Sequence, residues 1–395
     1  MSEINPSGKK VAYLLGGRFP TNKAYGITCR ETVNELMLRG DQVRIFCYEW
    51  SYSDSDFEQL MPYVHPFRSN RYTTFLRKFG ESGKTIFHKL AWKSSLLLDL
   101  RINFHTLKQY SPEIIWVRNP EIANFISKNF PKAKIVVEIH YSGQDKYYKN
   151  LVHAAQEIVF APISKSLENY IQLQGDNLNV ISSPMSINKS ILSNRRDIAT
   201  FVQKLQKSEN QTINIGYVGK FAPGGYSKGV EDLVYLAGLI QQLELNMRVN
   251  LVGGEDVHVD GLKELCTELG ISDRYISITG HVSHTEAVSA MRMFDVLVLT
   301  LPRDSNYNGS PLKTIEYCAV GKIVIAANSN LYVQIFEEKF EPFWYTPYDE
   351  NSLLKAIQEA IECQSLEIRI DAGVRMASTF TWEKRTDSIM NAFNR

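Results

Sequence analysis

Short apolar runs alternate with stretches of helical periodicity along most of this chain, the pattern of βαβ units built on parallel sheets. The first unit predicts a strand at 9–17 (KKVAYLLGG), a helix at 24–40 (AYGITCRETVNELMLRG) closed by Gly40, and a strand at 41–49 (DQVRIFCYE). Further strands are predicted at 113–118, 133–140 and 157–163, the last followed by a helix opening on Ser164 as its cap. A polar, poorly periodic stretch at 193–212 (SNRRDIATFVQKLQKSENQT) separates this series from a second. There, strands are predicted at 213–219, 247–254, 275–280, 295–300 and 322–327, with helices around 229–243, 284–293 and after Ser310. The fold class is therefore α/β, with two domains of similar size joined near 190–210.

Composition narrows the partners. The 395 residues fit two or three domains, and 44% hydrophobic against 22% charged residues suits full cores rather than disorder. A net charge of +1 argues against a dedicated nucleic-acid binder. The five cysteines (29, 47, 266, 318, 363) are scattered without a C-x-x-C pair, which fits a reducing compartment and neither a disulfide framework nor a zinc site. With no signal-peptide pattern and no apolar run of about 18 residues, a cytoplasmic location is expected.

Ligands of open parallel sheets bind outside the carboxyl ends of the strands, so the loops there carry the candidate chemistry. After strand 213–219, Lys220 and Lys228 flank a loop containing Gly224 and Gly225. Backbone amides, a helix dipole and two ammonium groups suit a diphosphate; a solvated surface loop is the plainer reading. Neither a G-x-x-x-x-G-K-[ST] loop nor a G-x-G-x-x-G turn follows any strand, which disfavours ATP and nicotinamide chemistry. At 308–322 (NGSPLKTIEYCAVGK), Ser310 caps a helix and Pro311 occupies its first turn. The amides of Gly309, Ser310, Leu312 and Lys313 are then available to an anion. Glu316, an anion itself, reads as the acceptor for a ribose diol or as an ordinary helix residue.

Five elements in order carry a family resemblance: Gly219-Lys220, Lys228-Gly229, the stretch 278–300 (ITGHVSHTEAVSAMRMFDVLVLT), 309–326 (GSPLKTIEYCAVGKIVIA) and 380–393 (FTWEKRTDSIMNAF). On these the C-terminal half resembles the nucleotide-sugar-binding domain of the family 4 retaining glycosyltransferases, which belong to glycosyl transferases group 1 and have the GT-B fold. The N-terminal half is similar to that family's acceptor domain over 18–49, 136–141 (VVEIHY) and 161–171 (APISKSLENYI). Only about 51–112 falls outside the resemblance.

The resemblance implies two Rossmann-like domains facing each other across a cleft. Residues 1–195 would bind the acceptor and 205–375 the nucleotide-sugar, with 376–395 a C-terminal helix packing back on the first domain. Lys220 and Lys228 would neutralise the donor diphosphate. Gly219 leads into Lys220. The amides of Gly309, Ser310, Leu312 and Lys313 would bind the phosphates, Glu316 the ribose, and the loop at His281 and Val282 would lie along the base. His140 would line the donor sugar, Tyr25 and Gly26 would border the diphosphate or acceptor, and Asn308 would contact the transferred sugar. His140, Lys220, Lys228 and Asn308 form the expected catalytic set. Transfer with retention from a UDP- or GDP-sugar to a saccharide or lipid-linked acceptor is implied, in cell-surface glycan synthesis, with neither cofactor nor metal.

The chain departs from the family at several of these positions. Lys220 stands where arginine is commoner, Asn308 where an acid is expected, Tyr141 where an acid often follows the histidine, and a single Gly26 where two glycines are usual. Residues 60–110 hold nine Lys/Arg against two acids, with aromatics interleaved. That segment reads either as a face for an anionic membrane surface or lipid-diphosphate acceptor, or as a helix pair packing its aromatics inward. Two further functions compete with transfer: a non-catalytic nucleotide-sugar binder, and a GT-B-shaped nucleotide-sugar epimerase.

Overall fold

The computed structural model describes residues 8–21, 24–49, 55–83, 85–207, 211–222, 227–301, 312–336 and 340–394. The chain forms two compact units, Met1–Pro184 with Trp382–Arg395, and Met185–Thr381.

The first unit is built on strands β1 (Lys10–Phe19), β2 (Gln42–Glu49), β3 (Val64–Pro66), β4 (Ile114–Val117), β5 (Lys134–Ile139), β6 (Ile158–Pro162) and β7 (Asn179–Val180). They form one seven-stranded parallel sheet in the order β3-β2-β1-β4-β5-β6-β7. Strand β4 is buried at every position and β5 at all but its first, as expected where helices cover both faces of a parallel sheet. Ile115, Val117, Ile135 and Val137 face one apolar cluster, while Ile114, Trp116 and Val136 face the other. The helix Trp382–Asn391 belongs to this second cluster, to which it contributes Ile389 and Met390.

The second unit holds β8 (Ile213–Val218), β9 (Met247–Gly254), β10 (Ile276–Gly280), β11 (Val296–Leu299), β12 (Ile323–Ala327) and β13 (Phe343–Tyr345). Its parallel sheet runs β10-β9-β8-β11-β12-β13. The stretch 193–212, which looked poorly periodic, contains the helix Arg195–Lys207. Ile198, Val202 and Leu205 at i, i+4 and i+7 bury against this unit's core, an apolar stripe narrow enough to be masked by the surrounding charges.

The strands read from apolar runs are all present. Three more, β3, β7 and β13, are two or three residues long and occupy sheet edges, too short for any periodicity to announce them. In both sheets the strand order reverses beside the unit's first strand, between β1 and β4 and between β8 and β11. These reversals open crevices at the carboxyl ends of the strands.

Candidate functional site

In the second unit the sequence-derived residues gather at the β8–β11 reversal. Strand β8 is followed by Gly219 with φ +136°, a conformation that disfavours any side chain. A Cβ there would also lie 2.8 Å from Nζ of Lys313. Glycine at 219 thus leaves room for the lysine that arrives from the helix Leu312–Ala319. The Lys313 ammonium sits 3.5 Å from the centre of the Tyr217 ring, and no carboxylate pairs with it among the described residues. Burial, reinforced by the nearby charge of Lys228 and only partly opposed by Glu316, holds its pKa well below the usual lysine value.

Lys228 lies on the same rim. Its amide donates to the Phe221 carbonyl at 2.9 Å, and the Thr300 hydroxyl at the end of β11 donates to its carbonyl at 2.6 Å. The half-buried ammonium has its pKa pushed down by burial to about 8. Lys220 follows Gly219 directly with an exposed side chain, its carbonyl accepting from the Tyr217 hydroxyl at 3.2 Å. The Lys220 backbone and the Lys228 and Lys313 side chains therefore border one strand–helix crevice, and burial disfavours the charged form of the latter two.

Glu316 lies in the second turn of the helix Leu312–Ala319 and is 8% exposed. Its Oε1 accepts a hydrogen bond from Nε2 of His284 at 3.0 Å. No hydrogen bond reaches its other oxygen among the described residues, so an acceptor remains available to a ligand. The helix is fixed to the sheet by Tyr317, whose buried hydroxyl accepts from the Val218 amide at 2.7 Å and donates to the Val218 carbonyl at 3.2 Å. The amides of Leu312 and Lys313 fall in the first described turn of this helix. His281, exposed, and Val282, half-buried, form the turn from β10 into the helix His284–Met293. That helix opens on a Ser283–Glu286 capping box, which places His284 in its first turn facing Glu316.

Of the remaining sequence-derived residues, Asn308, Gly309 and Ser310 lie outside the described residues. His140, Tyr25 and Gly26 belong to the first unit. There, a cavity of about 540 Å³ opens at the β1–β4 reversal, lined by Gly16, Gly17, Tyr25, Arg118, His140 and Tyr141 among others. A Cβ on Gly17 would press the Tyr25 ring at 3.3 Å, and one on Gly26 would overlap the Thr21 carbonyl at 2.1 Å. Gly26 thus serves the close entry of the chain into the helix Ala24–Leu38.

Beneath this cavity lies a charged cluster. Glu138 is fully buried on β5; Oε1 accepts from Arg385 Nη2 at 2.9 Å and Trp116 Nε1 at 3.0 Å. Oε2 accepts from His140 Nε2 at 3.0 Å, with Arg118 Nε at 3.3 Å. Burial alone would raise the Glu138 pKa, but Arg385, His140 and Arg118 hold it well below the carboxylate range. His140 has its pKa lowered, chiefly by burial. Donating through Nε2, the neutral ring leaves Nδ1 to accept from Arg118 Nη2 at 3.2 Å. Both ring nitrogens are engaged within the protein, which fixes the ring in the cavity wall.

Sequence reasoning assigned only the amide of Lys313 and overlooked its ammonium, and it missed His284, Glu138, Arg118 and Arg385. For Glu138 a signal existed: a lone acid in an otherwise apolar strand, IVVEI, demands buried cationic partners. For His284 there was none beyond its place after a capping serine.

Residues 197–375 match the family glycosyl transferases group 1. This match lies entirely within the second unit. Solved structures extend the likeness to both units and show the GT-B fold. A glycosyltransferase from Rickettsia africae aligns at a TM-score of 0.66 and 14% identity, covering 98% of each chain. Anabaena HepE, in complex with UDP and glucose, aligns at 0.62 and 15%, covering 98% of this chain and 99% of its own. The lipopolysaccharide outer core galactosyltransferase WaaB aligns at 0.63 and 17% with the same coverage. No curated protein matches the chain.

Proposed function

We propose that the protein is a retaining, metal-independent glycosyltransferase that takes a UDP- or GDP-sugar through its second unit. The observation that carries this reading is the convergence of Lys220, Lys228, Lys313 and the Glu316–His284 pair at one sheet reversal. Lys220 and Lys228 neutralise the donor diphosphate and Glu316 accepts from the ribose diol. The HepE structure with UDP and glucose supports the donor class, and the family match supports the reaction class.

In the proposed reaction the bond between the anomeric carbon and the β-phosphate oxygen breaks. The acceptor oxygen attacks the same face of the sugar, and its proton passes to the departing phosphate oxygen. The lysines stabilise the charge that develops on that leaving group, so the step needs no enzymic carboxylate nucleophile. Asn308, at the family's acidic position, would contact the sugar's hydroxyls as a neutral amide. The acceptor, a saccharide or lipid-linked sugar of a cell-surface glycan, would approach from the first unit. Cytoplasmic synthesis with a nucleotide-sugar donor is consistent with this scheme. Among the described residues, no helix is long and apolar enough to cross a membrane.

The pH dependence of donor binding tests the lysine assignment. In the free protein Lys228 titrates near 8. A bound diphosphate favours the ammonium and raises that value, so affinity is complete below 8 and falls above it. Between pH 7 and pH 9 the affinity for UDP or GDP is expected to drop about tenfold, with proton uptake rising from almost none at pH 7 to about one at pH 9, more if Lys313 also charges. Calorimetry in buffers of different ionisation heat measures both quantities. Lys228→Arg, permanently charged, should flatten the Lys228 contribution to that slope. Constant affinity with no proton uptake would remove Lys228 and Lys313 from the phosphate site.

A further inference from the structure

The segment 51–112, outside the family resemblance, contains the helices Arg71–Glu81 and Ile86–Ile102, which pack so closely that a Cβ on Gly80 would lie 2.6 Å from the Trp92 side chain. Their inner faces are packed away from solvent. Thr73, Ser95, Leu96 and Leu100 are buried, and Asp99 Oδ2 accepts from the Ser69 hydroxyl at 3.1 Å with Arg77 at 3.6 Å. The outer side is unusual. Tyr72, Phe75 and Phe79 follow one another at helical spacing on the first helix, and Ile86, Phe87 and Leu90 cluster at the start of the second. Phe75 is 64% exposed, Ile86 68% and Phe87 71%. The Phe79 ring stacks on both Phe75 and His88, linking the two groups into one surface. A soluble surface seldom presents that many large apolar side chains together without a partner.

Charge selects the partner. Arg71, Lys78 and Lys89 are exposed beside these rings. Of the two acids in residues 60–110, Asp99 is buried and Glu81 lines the cavity that also holds His140. Trp92 lines it as well, so the helices bearing the apolar face also form a wall of the first unit's cavity. The whole chain is nearly neutral at +1, which makes the basic excess here local. Amphipathic helices with aromatic and aliphatic tips ringed by lysine and arginine match a bilayer interface carrying anionic headgroups. We infer that this helical face seats the protein on an anionic lipid surface, with the cavity of the first unit next to the bilayer. The inference stands apart from the donor reading, since it requires no nucleotide.

Sedimentation of the full chain with vesicles tests it. The protein should bind vesicles of equal parts phosphatidylcholine and phosphatidylglycerol, bind pure phosphatidylcholine much less, and dissociate at high salt. The triple variant Phe75→Ser, Ile86→Ser, Phe87→Ser should partition about tenfold or more weakly. Lys78→Glu with Lys89→Glu should also weaken binding to anionic vesicles while leaving the melting temperature unchanged, because these side chains are exposed. Failure of the wild type to bind anionic vesicles, or equal binding by the triple variant, would overturn the inference. So would concentration-dependent self-association abolished by the triple variant, without vesicle binding, which would make the face an interface between copies.

Discussion

The Glu138→Gln protein is expected to lose about 3–5 kcal/mol of stability in its first unit, the cost of leaving buried cations without their counter-charge. Both carboxylate oxygens are committed, to Arg385 and Trp116 on one side and to His140 and Arg118 on the other. Arg385, whose side chain is 1% exposed, also donates to the Ser183 carbonyl at 3.3 Å, so it has no route to water when its carboxylate is removed. The same cluster joins β5 to the helix Trp382–Asn391, making the C-terminal segment part of the first unit's fold. Because Glu138 keeps its charge far below the ordinary carboxylate range, its contribution is complete above that range. It is lost only as pH falls through the depressed value. Urea unfolding of wild type and variant at neutral pH measures the effect, and a loss under about 1 kcal/mol would show that the cluster relaxes to recruit water.

Glu316→Ala is expected to weaken nucleoside diphosphate binding about a hundredfold, the equivalent of two hydrogen bonds to a charged acceptor. The fold should tolerate the change. His284, the partner left behind, has a side chain 40% exposed and can hydrate, while Tyr317 continues to hold the helix to β8. Comparing dissociation constants with melting temperatures separates the roles. Lost affinity with a preserved melting temperature assigns Glu316 to the ligand. Preserved affinity with a lowered melting temperature would make the Glu316–His284 pair a structural tie between two helices.

Much of this architecture is written locally. Each long parallel strand appears as an apolar run because both of its faces are buried, and helix starts such as Ser164 and Ser283 carry their own caps. The placement of Lys220, Lys228 and Glu316 was legible for a related reason: they follow strand ends at fixed places in the chain, where sequence order maps onto the sheet edge. The ammonium of Lys313 was not, because its position depends on Tyr217 and Gly219, nearly a hundred residues away in sequence. The Glu138 cluster draws on β4, β5 and the C-terminal helix, a contact no periodicity encodes. The outward turn of Phe75 and Phe87 was equally hidden, since core and membrane faces share one spacing, and only accessibility distinguishes them.

The most direct test of the central claim is turnover of nucleotide-sugars by the purified chain in the presence of a chelator, followed by proton NMR of the first sugar product. Cleavage of a UDP- or GDP-sugar with release of the nucleoside diphosphate and an anomeric configuration matching the donor is the expected result. Binding of every donor tried without cleavage of the anomeric bond, in the presence of saccharide and lipid-linked acceptors, would contradict it. So would a product of inverted configuration.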